Sequence, residues 1–300
     1  MNPSAEAPRS RLGIWVAGAR PRTLYASVSP VVVGTAAAIA PTPLRALASL
    51  VVAVSLQVGV NYANDYFDGI RSVDTHARVG PMRLTASGAA SPGAVRAAAA
   101  TAFGVGAVVG LWLALSTNPW LLVPGAAALL AAVLYSGGPR PYGAHGMGEA
   151  SVFVFFGLFA TAGTAYVQGG GVPAAAWCGA TALGLLAAAI LVANNLRDIA
   201  TDTEGGKRTL AVRMGDTRTR VVYQVLVAGA YVAIGVGIVA SWLPAASAAA
   251  FLSAPAGVWL GRRASHANGR DLVPVLAGTA MLEFGFAVLL AIGLAAARIW

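Results

Sequence analysis

Charge is what this chain has least of. Asp, Glu, Lys and Arg together make up only 10% of its 300 residues. A soluble globule of this size carries about a quarter, so a soluble enzyme is excluded. Cysteine is nearly absent: Cys178 has no second thiol for a disulfide and cannot build a cysteine zinc site, which leaves it a place facing lipid or filling the core. The three histidines, His76, His145 and His266, stand apart and lack metal-ligand spacing. No Gly-rich phosphate loop and no serine–histidine nucleophile pairing occurs. The 36 glycines lie inside apolar runs without a three-residue period, which excludes collagen, and 57% hydrophobic residues exclude disorder.

Long apolar runs are what the chain does have. Runs of about 17 to 25 residues are long enough to cross a bilayer as helices. Nine segments read this way: Thr23–Ala40, Leu44–Asn64, Ala94–Leu115, Trp120–Tyr135, Ala150–Val167, Ala174–Leu196, Val221–Ala240, Pro244–Leu260 and Val275–Ala297, the fourth being short. They show no period-two alternation, so they are helices and not barrel strands. The expected fold is an all-α polytopic membrane protein of nine transmembrane helices. Residues 1–19 are expected as a disordered cytoplasmic tail and residues 20–300 as a single membrane domain.

The net charge of +9 comes from 20 Lys and Arg against 11 Asp and Glu. Nucleic acid is one reading of such an excess, but the basic residues are spread through short loops. With the amino terminus in the cytoplasm, all of them except Arg45 and Arg298 fall on the cytoplasmic side, as the positive-inside rule requires. Ala38-Ile39-Ala40 mimics a signal-peptidase site, yet the leader and the apolar run are both too long, and no cleavage is expected. The acids also gather on that side, all but Glu283. Acids contribute little to topology, so chemistry is expected at this mouth.

Two acidic motifs stand there. The first is Asn61-Tyr62-Ala63-Asn64-Asp65-Tyr66-Phe67-Asp68-Gly69, continuing through Arg71, Asp74, Arg78 and Arg83. On a helix, Asn61, Asp65 and Asp68 share one face, a set of hard oxygen ligands suited to Mg²⁺. The second, Asn194-Asn195-Leu196-Arg197-Asp198 through Asp202, Glu204, Lys207 and Arg208, places Asp198 and Asp202 at i and i+4. Pairing with loop arginines is the plainer reading of either cluster. Recurrence at matching positions after the second and sixth runs argues for function and suggests two four-helix halves plus a ninth helix. Arg22, Arg71, Arg78, Arg83, Lys207 and Arg208 lie on the same side, and guanidinium groups bind phosphate oxygens in a fork. Acids for metal and bases for phosphate are what a diphosphate needs.

At these motifs the chain resembles the UbiA superfamily of intramembrane aromatic prenyltransferases, over about residues 20–297. Further segments resemble its menaquinone branch, which prenylates 1,4-dihydroxy-2-naphthoate. These are Arg20-Pro21-Arg22-Thr23-Leu24, Arg78-x-Gly80-Pro81-x-Arg83, Tyr135 through Gly143 leading to Gly148-Glu149, and Gly206-Lys207-Arg208-Thr209-Leu210. The resemblance implies a UbiA-type bundle in a bacterial cytoplasmic membrane. It implies transfer of a polyprenyl group from polyprenyl diphosphate to the naphthoate with loss of CO₂ and diphosphate, giving demethylmenaquinone.

It implies Mg²⁺, two ions, held by Asp65, Asp68, Asp198 and Asp202 with Asn61 and Asn64 in support. Asp74 follows Asp68 by six residues where many members space this acid by four, so metal binding and loop shaping are both open to it. Tyr62, Tyr66, Phe67 and Tyr142 are expected to steady a prenyl cation. Tyr142 and Glu149 would orient or deprotonate the acceptor, with Arg140 on its carboxylate and Asn195 beside it. Glu283, the one acid deep in a span, is either functional or shares a proton with a neighbouring backbone carbonyl. Gly104, Gly106, Gly110, Gly157 and Gly163 either bring helices together or widen an apolar groove for the isoprenoid. A relative with another aromatic acceptor, an ion-coupled transporter and a phosphatidyltransferase are the alternatives. The transporter is disfavoured because such sites lie near the bilayer midplane, and no protein partner or nucleic acid is implied.

Overall fold

The computed structural model describes residues 10–71 and 83–298; Asp74, His76 and Arg78 lie outside these. Every regular element among the described residues is helical. The helices are α1 (Arg11–Ala19), α2 (Tyr25–Ala37), α3 (Pro43–Ile70), α4 (Pro92–Thr117), α5 (Leu122–Leu134), α6 (Gly148–Gly169), α7 (Ala174–Arg197), α8 (Ile199–Glu204), α9 (Leu210–Met214), α10 (Asp216–Val239), α11 (Ala254–His266) and α12 (Leu272–Ala296).

Local chemistry sets the boundaries. Ser10 caps α1 by accepting from Gly13 N–H at 3.1 Å, and Ser91 caps α4 with Pro92 at its first position. The chain leaves α4 at Asn118, whose side chain accepts from Trp120 N–H at 3.0 Å. Gly215, at φ 77°, makes the left-handed turn from α9 into α10.

Among the described residues six helices are long and apolar enough to cross a membrane: Pro43–Ile70, Pro92–Thr117, Gly148–Gly169, Ala174–Arg197, Asp216–Val239 and Gly269–Ala296. Tyr25–Ala37 and Pro119–Leu134 are apolar but shorter. At 1.5 Å per residue the 13 residues of α2 span about 20 Å, against about 30 Å of hydrocarbon. The eighth predicted run divides into a 3₁₀ stretch, Ala245–Ser253, and the more polar α11.

α7 is the hub. Leu183, Leu186, Ala189, Val192 and Cys178 pack there with Tyr223, Ile234, Phe286 and Leu290 of α10 and α12, so the thiol is core filler. Val33 and Ala37 of α2 join this same core, whereas α3 and α4 pack with α1 around Tyr62, Leu84 and Val95. α2 thus packs across the two halves that the motif repeat suggests, against α6, α7 and α12 as well as α3. The cause is steric: a Cβ at Gly34 would lie 2.5 Å from Thr161 O, and one at Gly179 would lie 2.5 Å from Val33 Cγ1. Gly157 of α6 meets Gly184 of α7 in the same way, its Cβ position 2.4 Å from Gly184 Cα. Such small-residue contacts are how helices approach where lipid supplies no hydrophobic drive.

On the side away from the acidic motifs, Arg45 ties helix ends together, donating to Val167 O at 2.9 Å and Ser116 O at 3.2 Å. Arg298 donates to Ala38 O. Both basic residues that depart from the charge asymmetry thus satisfy carbonyls at chain turns.

Candidate active site

The last turns of α3 carry the first motif. Asn61 is buried and sews the α1–α2 connection to α3, donating to Ala19 O at 2.9 Å and Thr23 Oγ1 at 3.2 Å while accepting from Gln57 at 3.3 Å. Asp65 is 1% exposed, and its two carboxylate oxygens accept from the backbone N–H groups of Leu84 at 2.7 Å and Thr85 at 2.9 Å. The returning chain is held tight there, since a Cβ at Gly69 would lie 2.5 Å from Thr85 Cγ2. This turn delivers Arg83 to Asp68, with Nη2 to Oδ2 at 2.8 Å.

The second motif breaks the end of α7. Arg197 grips its neighbour Asp198 in a fork, Nε to Oδ1 at 2.7 Å and Nη2 to Oδ2 at 2.6 Å, and also donates to Asn194 Oδ1 at 2.9 Å. Asp202, one turn on, accepts at its backbone carbonyl from Lys207 N–H at 2.8 Å, and Gly206 at φ 71° permits that reversal. Lys207 is thereby aimed across the mouth, its Nζ 3.6 Å from Asp68 Oδ2 and 3.7 Å from Asp202 Oδ1. The two motifs meet through one ammonium group.

A strap, residues 135–147, spans the mouth between α5 and α6. Arg71 holds it from the first-motif side, donating to Ser136 O at 2.8 Å and Gly138 O at 2.5 Å, and Asn64 accepts from the Ser136 hydroxyl. From the second-motif side Arg208 N–H donates to Ala144 O and Arg213 Nη2 to His145 O, both at 2.8 Å. Tyr142 on the strap meets Tyr135 edge to face at 5.5 Å and donates to Ala131 O at 2.8 Å. Burial pushes the Tyr142 phenol up from its ordinary 10.0, and the Ser151 hydroxyl pulls it part of the way back. Beside the strap, buried Glu149 accepts from Asn195 at 2.9 Å through Oε1, while its Oε2 has no hydrogen-bond partner among the described residues.

Below the strap lies an apolar cavity of about 1840 Å³, walled by α2 to α7 and the start of α12. Of the residues singled out in the sequence, Arg22, Asn61, Asn64, Tyr142 and the glycines Gly106, Gly110 and Gly163 line it; Asp65, Asp68, Asp198 and Asp202 do not. Their chain neighbours Asn64, Asn194 and Arg197 do, so the carboxylates sit beside the groove. Arg140 and Arg208 are exposed and away from its wall. Tyr62 donates to Trp15 O at 2.8 Å, and Tyr66 and Phe67 pack in the α1–α3–α4 cluster, so of the four aromatics expected near a cation Tyr142 alone lines the groove. Glu283 is fully buried with neither carboxyl oxygen hydrogen-bonded among the described residues, so the backbone contact expected for it is not made. Among the described residues no three acidic, histidine or cysteine side chains stand close enough to hold an ion together.

Arg20, Tyr135, Asn194 and Arg197, which the motifs contain but to which the sequence reading gives no role, lie on the groove wall, as do Gln57 and Arg270, which it missed. Arg20 takes a left-handed φ of 55°, where the following Pro21 favours extended backbone, and such strain concentrates at functional sites.

The family model described as the UbiA prenyltransferase family matches residues 27–274. The chain is 49% identical to 1,4-dihydroxy-2-naphthoate octaprenyltransferase of Mycobacterium tuberculosis, covering 91% of this chain and 94% of that one. It is 37% identical to the Escherichia coli protein of the same name, over 75% of this chain and 76% of that one. Among solved structures, a UbiA homologue from Aeropyrum pernix superposes with a TM-score of 0.70 at 18% identity, covering 92% of this chain and 98% of that one. A UbiA homologue from Archaeoglobus fulgidus bound to GPP and Mg²⁺ gives 0.64 at 16%, covering 92% and 99%. An all-helical bundle with acidic motifs beside an apolar groove, and a family match across most of its length, lead to one conclusion: the chain belongs to the UbiA prenyltransferase family.

Proposed function

We propose that this protein transfers a polyprenyl group from polyprenyl diphosphate to 1,4-dihydroxy-2-naphthoate. The products are CO₂, diphosphate and the quinol form of demethylmenaquinone, a step of menaquinone synthesis. The reading is supported by the names of the relatives above. The observation that carries it is the meeting of Asp68 and Asp202 at Lys207 beside a groove that suits an isoprenoid. The chain crosses a bacterial cytoplasmic membrane nine times within one domain, residues 20–300, with its amino terminus and mouth in the cytoplasm.

The donor set fits a hard cation. Asp68 and Asp202 already direct carboxylate oxygens at one positive centre, and such oxygens suit Mg²⁺. Asp68, Asp202 and Asp198 would hold it, as two ions, with Asn64 in support. When bound, Mg²⁺ supplies positive charge to the departing diphosphate.

The protein's own groups do the rest. Lys207, Arg83, Arg22 and Arg197 receive phosphate oxygens as the allylic C–O bond breaks and its electron pair leaves with the diphosphate. The allylic carbon is left facing the strap, where Tyr142 and Tyr135 present rings to it. The naphthoate ring bonds to that carbon and the carboxylate departs as CO₂. Glu149, with Oε2 open, orients the acceptor hydroxyl or takes its proton, held in place by Asn195. Asp65 keeps Arg83 in position through the Leu84–Thr85 turn, a supporting part and not a ligand one.

The test is purified protein given labelled polyprenyl diphosphate, Mg²⁺ and a panel of aromatic acceptors. Product is expected with dihydroxynaphthoate. Prenylation of another ring while dihydroxynaphthoate is refused would overturn the assignment.

A further inference from the structure

The arginines on the side of the acidic motifs divide by what they hold. Arg71 and Arg213 donate to backbone carbonyls of the strap, and Arg83, Arg197 and Arg220 pair with Asp68, Asp198 and Asp216. Arg262 and Arg263, adjacent in the last two turns of α11, do neither. The guanidinium of Arg262 has no hydrogen-bond or ion-pair partner among the described residues, and that of Arg263 lies over the Trp259 ring at 5.3 Å.

Basic side chains near a helix C-terminus ordinarily serve its free carbonyls. In α11 that post is taken. Arg220 reaches across from α10 and donates to Ala264 O, and to Ala267 O at 2.8 Å, while Asp216 grips it at 2.6 and 2.8 Å. The buried face of α11 is Gly257, Leu260 and Ala264. Val258 and Trp259, each 54% exposed, look outward with Arg262 and Arg263, and α11 contains no acid to compensate them. The pair is left for a partner outside the chain.

An outward-facing furrow of about 530 Å³ continues below, lined by Val232 and Val236 of α10 and by Phe251 of the 3₁₀ stretch that precedes α11. At 1.5 Å per α-helical and about 2.0 Å per 3₁₀ residue, Phe251 lies about 18 Å along the chain from Arg262. Half the hydrocarbon of a bilayer is about 15 Å thick. The furrow therefore sits about one acyl chain below the guanidinium pair.

We propose that the outer face of α11 seats an anionic phospholipid, its phosphate held by Arg262 and Arg263 beside the Trp259 ring and one acyl chain passing Val258 toward the furrow. Guanidinium forks match phosphate oxygens, and tryptophan belongs at headgroup depth. In the proposed topology this is the cytoplasmic leaflet, whose anionic lipids draw basic residues to the surface. A zwitterionic lipid carries its own cation against the same phosphate and is held more weakly. The site uses neither donor nor acceptor, so it stands apart from the proposed function.

The test is thermal denaturation of the purified protein in non-ionic detergent, titrated with phosphatidylglycerol, phosphatidylcholine or inorganic phosphate. Phosphatidylglycerol is expected to raise the melting temperature saturably, and the other two to leave it unchanged at the same concentrations. Its half-saturating concentration should rise about fivefold in Arg262→Gln and again in Arg263→Gln, the worth of one basic residue near an anionic surface. Arg96→Gln, which removes an exposed arginine from the first turns of α4, should titrate as the wild type does. Native mass spectrometry of the same proteins counts the phosphatidylglycerol retained, which should fall in both α11 variants even where one is less stable without lipid. An equal response to phosphatidylcholine or to inorganic phosphate would overturn the assignment, as would unchanged titration in both α11 variants or the same loss in Arg96→Gln.

Discussion

Asp68 and Asp202, one from each acidic motif, share the ammonium of Lys207 at 3.6 and 3.7 Å. Two carboxylates this close at a membrane boundary repel each other unless a cation stands between them. The position is therefore selected for positive charge before any substrate arrives.

Removing either charge should stop the reaction without unfolding the chain. Asp68→Asn and Asp202→Asn are each expected to lower kcat on the order of 10²-fold or more, with helical circular dichroism retained, and chelation of divalent ions should do the same. Wild-type turnover in both variants would remove these residues from the site.

Asp65 should behave differently. Its two bonds to backbone N–H groups are of the charge-assisted kind, each worth about 1.5–3 kcal/mol. Asp65→Asn sets an amide N–H against one of those donors. Thermal denaturation in detergent should show lower stability, and the KM for the donor should rise as Arg83 loosens, with the Mg²⁺ dependence of kcat unchanged. A shift in that Mg²⁺ dependence with full stability would make Asp65 a ligand after all.

Tyr142 gives a pH dependence. Its folded pKa lies above the ordinary 10.0 because burial favours the neutral phenol. The folded state thus holds the proton more strongly than the unfolded chain. The stabilisation is complete below about pH 10 and is lost as pH rises through the folded value. Melting temperatures of the wild type should fall more steeply above pH 10 than those of Tyr142→Phe. Parallel curves would show the phenol to be solvated.

Gly157→Val tests the close contact between α6 and α7. Its Cβ has no space against Gly184, and overpacking of this kind costs about 1–3 kcal/mol. A lower melting temperature is expected by thermal denaturation in detergent, and an unchanged one would show that α6 and α7 can move apart to admit the side chain.

Much of this was legible from residue order. Six of the nine spans followed from hydrocarbon thickness and run length among the described residues, while the first, fourth and eighth runs form shorter or divided helices; the two acidic motifs followed from their recurrence after matching helices. What escaped was pairing decided by chain reversal. Nothing around Leu84 or Thr85 marks their N–H groups as partners of Asp65, and nothing in Arg71 marks it for the carbonyls of Ser136 and Gly138 in preference to phosphate. The resemblance puts Arg140 on the acceptor's carboxylate, but on the strap it is exposed and off the groove wall. The placement of α2 in the second core depends on Gly34 and Gly179, which a hydropathy pattern does not distinguish from glycines facing lipid.

The strap across the mouth is fastened to one motif by Arg71 and to the other by Arg208 and Arg213. Any ligand that displaces either anchor must therefore tug the same short ribbon. Since the sole native thiol, Cys178, is buried, an engineered Arg140→Cys on this ribbon would take up a fluorophore selectively. Its emission would then report occupancy of the chamber beneath in real time, without radioactive substrate.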